Sequence, residues 1–332
     1  MKYYVGHPLQ TRGAEHYVLQ GGKGDGMHFL NLRNGCGLEV LVSLDRCGDP
    51  NRVTYKGMNM SYMSPCGNVA PAYFDKEGGF LRSFTAGFMT TCGFEGAGGP
   101  CIDEGEAVPQ HGTAGNLPAD LNSVLEDEEG LTVVLTVRDC VLFGRRFVMK
   151  RTYFLSYTEN YFTISDDIAN EGEAIHPFAL LYHCNMGYPL VSENADVRFP
   201  NTKIWANDEL AVSDMANAFK MEKPQQGYTE RCYFFDAVVQ NDGLVHNGIW
   251  NPDISSGMIM TYDKKELPCL TEWKMMGRRD YVLGIEPGNV CPSPRTKMRA
   301  NGVLPFLDAD ANYQTNLKFT FVDNFEAFDK AF

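Results

Sequence analysis

Positive charge is scarce in this sequence: 29 Lys and Arg stand against 42 Asp and Glu, for a formal net charge of −13. Phosphate backbones are held by neutralising them with Lys and Arg, so the composition argues against a nucleic-acid partner. No stretch approaches the ~20 consecutive apolar residues of a membrane-spanning helix. The opening Met1-Lys2-Tyr3-Tyr4-Val5-Gly6 lacks the apolar centre of a secretory signal. The expectation is a cytoplasmic protein with no membrane partner. The ten cysteines are irregularly spaced, with no C-x-x-C pair. A structural zinc site is therefore not expected. In a chain long enough to bury a sizeable core, such cysteines read as reduced thiols. Helical periodicity is scarce too: only Met215–Met221 and the last dozen residues could be helical.

What is present is glycine, aromatic residues and strand-length apolar segments. Leu38, Val40, Val42 and Leu44 alternate with a period of two, and Leu317, Phe319 and Phe321 repeat the pattern near the end. Between them lie Leu131–Val137, Arg146–Leu155, Tyr161–Ser165, Phe178–Val191, Arg198–Ile204, Arg231–Gln240 and Tyr281–Gly288. The polar run Asp166–Gly172 reads as the end of the Tyr161 strand. Asn241-Asp242-Gly243 is a hairpin signal, and Met258–Tyr262 is expected to pair with Leu270–Met275. Many short strands separated by turn residues predict an all-β fold, a large antiparallel β-sandwich. No linker or internal repeat interrupts the chain, so residues 1–332 are expected to form a single domain. Gly21-Gly22-Lys23-Gly24-Asp25-Gly26 lacks the spacing of a phosphate-binding loop and reads as a surface loop.

Four polar residues sit beside apolar or glycine-rich backbone: Arg82, His111, His183 and Glu286. Each has a plain alternative. Arg82 suits a surface charge, His111 a loop cap, His183 a core histidine and Glu286 an exposed strand end. Together they offer a guanidinium, two imidazoles and a carboxylate, with Trp250 and Trp273 as stacking surfaces. Uncharged sugars are held by such a set. No G-x-S-x-G elbow is present. Cys92 and Cys184 read as core residues rather than nucleophiles. His176, His183 and Glu286 show no metal-ligand spacing, and no close carboxylate pair stands out. Neither a metal nor another cofactor is expected.

The run Asp166-Asp167-Ile168-Ala169-Asn170-Glu171-Gly172, followed by Leu181-Tyr182-His183-Cys184-Asn185-Met186-Gly187, resembles the core motif of the aldose 1-epimerase (galactose mutarotase) family. His111-Gly112 and Gly284-Ile285-Glu286-Pro287 resemble the family's upstream histidine and its late glutamate strand. Thr91-Cys92-Gly93, His111–Ala119 and Gly284–Asn289 resemble the signatures of an uncharacterised branch of that superfamily. The resemblance spans roughly residues 30–322. It implies a sugar cleft on a concave sheet face, Glu286 as general base and His183 as general acid, with no cofactor. It implies substrate contacts from Arg82 and His111, and by a looser match from Glu230; Asn116, Asn185 and Trp273 are further expected substrate contacts.

The expected activity is interconversion of sugar anomers by acid/base ring opening. His183 and Glu286 are expected 5–7 Å apart, across one sugar ring, with His183 charged. The alternatives are an epimerase, mutarotase or lyase acting on a phosphorylated or acidic sugar, or a non-catalytic carbohydrate-binding protein. For an acidic substrate, Arg278, Arg279, Arg295, Lys297 and Arg299 would supply the charge; otherwise they form a solvated basic face. The expected partner is a small-molecule sugar, with self-association as a homodimer left open.

Overall fold

In Tyr161–Asn170 the even-numbered side chains are buried and the odd-numbered ones half-exposed, the pattern of a strand with one face on a core. The computed structural model describes residues 3–75 and 77–332. It is organised around two large antiparallel sheets. One has eight strands in the order Ala119–Glu126, Gly130–Cys140, Arg146–Ser156, Tyr161–Asn170, Asn312–Val322, Ser256–Tyr262, Val245–Asn251 and Asp196–Arg198. The other has six, in the order Asn201–Trp205, Arg231–Ala237, Cys269–Met276, Tyr281–Gly288, Ala179–Met186 and Met89–Phe94. A five-stranded N-terminal sheet spans Gly13–Val18 to Met58–Asn59. The expected all-β antiparallel sandwich is what forms. Among the described residues no helix is long and apolar enough to cross a membrane.

The two large sheets meet through an apolar core that contains Phe88, Phe162, Phe319 and Phe321, with Phe88 edge-on to Phe319 at 5.1 Å. Ala179–Met186, by contrast, is buried on both faces. Leu180, Tyr182, Cys184 and Met186 enter the main core, while Ala179 and Leu181 join a separate cluster on the opposite face. Cys184 and Cys92 are both core residues, as expected.

One polar network crosses this core. Arg151, with no exposed surface, donates to both carboxylate oxygens of Asp166 (2.8 and 2.7 Å) and to Asp49. The Tyr182 hydroxyl lies 2.6 Å from both Asp166 Oδ2 and Thr315 Oγ1. Asp166 therefore does not end its strand. The strand continues to Asn170 because a buried guanidinium neutralises the carboxylate that the alternation turns inward.

Two pairings differ from the sequence reading. Gln240 does donate to the Leu244 carbonyl across the Asn241-Asp242-Gly243 turn (2.7 Å). The strands on either side then enter different sheets, since turn residues specify a reversal but not a partner. Ser256–Tyr262 pairs with Val245–Asn251 and Asn312–Val322, and Cys269–Met276 pairs with Arg231–Ala237 and Tyr281–Gly288. The short helix Phe325–Asp329 falls within the last dozen residues; Arg295–Ala300 is a helix that the periodicity did not single out. Trp250 packs with Phe325 and Phe328 on the eight-stranded sheet, which corrects its expected role as a sugar-stacking surface.

Candidate active site

Register builds the site. Leu181 opposes Gly288 and Cys184 opposes Ile285, so His183 and Glu286 face each other on neighbouring strands. Glu286 also opposes Thr271, Thr271 opposes Phe234, Phe234 opposes Trp205, and His183 opposes Thr90. One row of side chains thus crosses all six strands, with His183 and Glu286 near its middle. His183 Nε2 lies 3.3 Å from Glu286 Oε1. The expected separation of 5–7 Å is therefore wrong, because directly opposed side chains start from Cβ atoms only ~5 Å apart. A ligand would lie over the pair, not between its members.

Gly284 makes room for the carboxylate. A Cβ at this position would meet Glu286 Oε1 at 2.6 Å and Trp273 Cβ at 2.9 Å. Trp273, opposite Gly284, packs edge-on to His183 at 5.3 Å and donates its indole N–H to Glu230 Oε2 at 2.7 Å. Phe84 and His111 complete the cage around the His183 ring, at 5.2 and 5.7 Å. His111 adopts a left-handed conformation (φ 57°). Its backbone is pinned by Gly93 N–H donating to His111 O (2.9 Å) and His111 N–H donating to Gly98 O (2.8 Å). Gly112 beside it allows the close approach: a Cβ would stand 2.2 Å from Gly93 O.

These groups border a cleft of about 370 Å³, also lined by Phe80, Gln110, Asn207, Asp208, Phe234 and Pro292. Its size suits a small ligand. Four buried polar atoms around it have no hydrogen-bond partner among the described residues: His183 Nδ1, His111 Nδ1, Glu286 Oε1 and Thr271 Oγ1. Buried polar atoms are normally satisfied, so such a cluster at a cleft is where a ligand's hydroxyls would complete the bonding.

Burial sets the protonation states. It raises the Glu286 carboxyl well above its usual range, with Glu230 adding to the effect. It lowers His183 to about 3, helped by His111, and lowers His111 to about 4. Burial thus favours the neutral form of each member of the pair. Burial therefore works against the expected charged His183, because removing an imidazole from water disfavours its cationic form.

Of the remaining expected residues, Glu230 and Trp273 border the cleft, whereas three do not. Arg82 is exposed, because the Phe80–Ser83 turn directs Phe80 and Phe84 toward the site and Arg82 outward. Asn185 is fully buried; its amide donates to the backbone carbonyls of His183 (2.8 Å) and Ala86 (3.3 Å). It holds the strand rather than a substrate. Asn116 lies behind Phe80 and Phe84, accepting a hydrogen bond from Arg46, which also donates to Ser83 O. Arg46 was missed. Its Asp45-Arg46-Cys47-Gly48-Asp49 segment reads only as a turn. Burial lowers its guanidinium to about 10.

The basic run is largely consumed elsewhere. Arg295 pairs with Asp103 and Glu106, and Arg299 with Asp103 and Glu104. Among the described residues, no Lys or Arg lines the cleft, and no group of three or more His, Cys, Asp or Glu is placed to hold a metal ion.

The antiparallel sandwich has the fold of galactose mutarotase-like proteins. The chain belongs to the family described as "Domain of unknown function (DUF4432)", whose profile matches residues 24–321. A "putative aldose 1-epimerase" from Klebsiella pneumoniae subsp. pneumoniae MGH 78578 has a TM-score of 0.90 at 24% identity, covering 97% of this chain and 88% of that one. A galactose mutarotase-like protein from Clostridium acetobutylicum has a TM-score of 0.66 at 14% identity, covering 95% of this chain and 99% of that one. Galactose 1-epimerase from Lactobacillus acidophilus NCFM has a TM-score of 0.63 at 15% identity, covering 94% and 99%. At these identities the likeness is one of fold. No curated protein matches the chain's sequence.

Proposed function

We propose that this protein is an aldose 1-epimerase-like isomerase that interconverts the anomers of a small sugar. The observation that carries the reading is the His183–Glu286 pair: 3.3 Å apart, buried, facing a sugar-sized cleft, with unsatisfied polar atoms on both members. The fold it shares with proteins named as epimerases and mutarotases supports the same reading.

The pair holds one proton beyond the carboxylate–neutral imidazole state. Moving it from Glu286 to His183 across the 3.3 Å gap gives a carboxylate and an imidazolium. Glu286 then takes the proton of the anomeric hydroxyl, the C1–O5 bond breaks, and His183 gives its proton to the ring oxygen. The open chain carries a C1 aldehyde. Rotation about C1–C2 presents the other carbonyl face. The ring hydroxyl then attacks C1, His183 takes back the hydroxyl proton and Glu286 returns its own to the new anomeric oxygen. Each such acid or base contributes roughly 10²–10⁴-fold. A carboxyl with a raised pKa suits this work, since a base is most effective near the working pH. The aromatic groups Phe84, Phe234 and Trp273 would cover apolar ring faces, while Glu230, Gln110 and Asn207 would bond hydroxyls.

The decisive experiment is anomer exchange by NMR over a panel of sugars. Glu286→Gln is expected to slow exchange by about 10²-fold or more while the fold remains. Near-normal exchange in that variant would overturn the assignment. The panel also separates the alternatives. A cleft bordered by Asp208, Glu230 and Glu286 without a cation favours neutral sugars over 6-phosphates and uronates. Sugar binding with no exchange in the wild type would point to a carbohydrate-binding protein.

A further inference from the structure

Beside the cleft, on the same face of the six-stranded sheet, lies a second chamber of about 440 Å³ walled by Trp205, Val290, Pro292, Met298 and Val303. Asn207 and Pro292 border both spaces. All ten cysteines are free, and two of them, Cys269 and Cys291, line this chamber. Backbone geometry brings them together. Cys269 opens its strand opposite Gly288, the last residue of the Glu286 strand. The chain then turns at Asn289, whose side chain accepts from Leu180 N–H (2.7 Å) and donates to Phe178 O (3.1 Å). Two residues later Cys291 comes back beside the start of the Cys269 strand, and both cysteines face the same chamber.

The two thiols are unlike. The hydrogen bond from Cys291 holds Cys269 below the ordinary thiol value in spite of burial, and the same bond together with burial pushes Cys291 up. Cys47, Cys92 and Cys184 are sealed in the core with their thiols raised by burial. A thiol facing a chamber with a second thiol lining the same chamber is the arrangement of a sensor cysteine and its resolving partner.

We propose that Cys269 and Cys291 are a reversible thiol–disulfide pair that reacts with a small hydroperoxide entering the second chamber. The Cys269 thiolate attacks the terminal peroxide oxygen. An S–O bond forms, the O–O bond breaks, and the departing alkoxide or hydroxide takes up a proton. Cys291 then attacks the Cys269 sulfenic acid: the S–S bond forms, and the sulfenic hydroxyl leaves as water with the Cys291 thiol proton, the proton that the Cys269 thiolate released at the start having been taken up by the alkoxide or hydroxide. Two thiols and one hydroperoxide become one disulfide, one alcohol or water, and one water. The link would tie the start of the Cys269 strand to the Asn289–Pro294 segment. That segment contributes Pro292 to the wall of the catalytic cleft, so oxidation would alter the cleft as well.

The test needs no sugar turnover, so it stands apart from the proposed isomerase activity. The full chain is titrated with hydrogen peroxide, and its thiols are mapped by differential alkylation and mass spectrometry, with circular dichroism to follow the fold. The expected result is a Cys269–Cys291 cross-linked peptide that appears roughly tenfold faster than oxidation of exposed Cys36 and Cys140 and is reversed by dithiothreitol. Cys291→Ser should stop at a sulfenic acid on Cys269 that dimedone traps, and Cys269→Ser should leave Cys291 unreacted at the same dose. Oxidation of other cysteines first, or a cross-link that forms only as the fold is lost, would overturn the proposal.

Discussion

Glu286 lies directly across the strand pair from His183, and their polar atoms approach to 3.3 Å on the face of the sheet turned away from the main core. Neighbouring strands, not distant loops, thus supply the proposed acid and base. Their spacing is set by backbone hydrogen bonds on both sides, from Met89–Phe94 and from Cys269–Met276.

The pair should titrate as a unit. His183 is lowered to about 3 by burial and then His111, and Glu286 is raised by burial and then Glu230. Between those values the pair keeps its shared proton. The kcat/KM for anomer exchange, followed by polarimetry, should be flat from about pH 3 upward as far as the fold persists. It should fall on the alkaline side, as Glu286 gives up the proton, at a pH above the ordinary carboxylate range. An acidic limb near the ordinary histidine value would contradict this ordering.

Gly284→Ala should displace the Glu286 carboxylate, because the new methyl would stand 2.6 Å from Oε1 and 2.9 Å from Trp273 Cβ. A misplacement of that order costs about 10²-fold in rate, and overpacking costs about 1–3 kcal/mol in stability. Exchange rates and urea midpoints measured on the same variant separate the two effects.

Arg82→Ala should leave both exchange rate and melting temperature unchanged, since the side chain is exposed and does not border the cleft. A large rise in KM would show that the Phe80–Ser83 turn brings Arg82 inward when sugar binds.

Arg151→Met should destabilise the fold by roughly 3–5 kcal/mol, because Asp166 and Asp49 would remain buried without their cation. Equilibrium urea unfolding reads this directly. The loss should be smaller at low pH, where protonation of Asp49, whose carboxyl burial already raises, relieves part of the uncompensated charge.

Glu272 is wholly buried, neither carboxylate oxygen has a hydrogen-bond partner among the described residues, and burial raises its pKa well above the usual value. The folded state therefore keeps a proton that the unfolded state releases. The stability this proton confers is complete below the unfolded carboxyl value and is lost as pH rises toward the folded one, by up to about 1.4 kcal/mol per pH unit. Glu272→Met should flatten that slope and raise stability at pH 8 relative to pH 4, measured by urea unfolding at the two pH values.

Much of this protein is determined by its sequence alone. Period-two alternation in segments such as Tyr161–Ser165 and Leu317–Phe321 specifies strands with one face on a core, because side chains on a strand alternate sides whatever it pairs with. The motifs around His183 and Glu286 mark those two residues through resemblance to a family. Tertiary structure decided which strands meet. The Asn241-Asp242-Gly243 turn joins strands of two different sheets, and only long-range pairing brings Glu286 opposite His183. It also decided which polar residues face the cleft. Arg82 turns outward, and Asn185 is spent on backbone carbonyls. Arg46, read only as part of a turn, is buried behind the aromatic wall. Protonation was beyond local reading for the same reason. Whether a histidine beside a glutamate is charged depends on how much water the surrounding strands exclude, and that is a property of the assembled sheets.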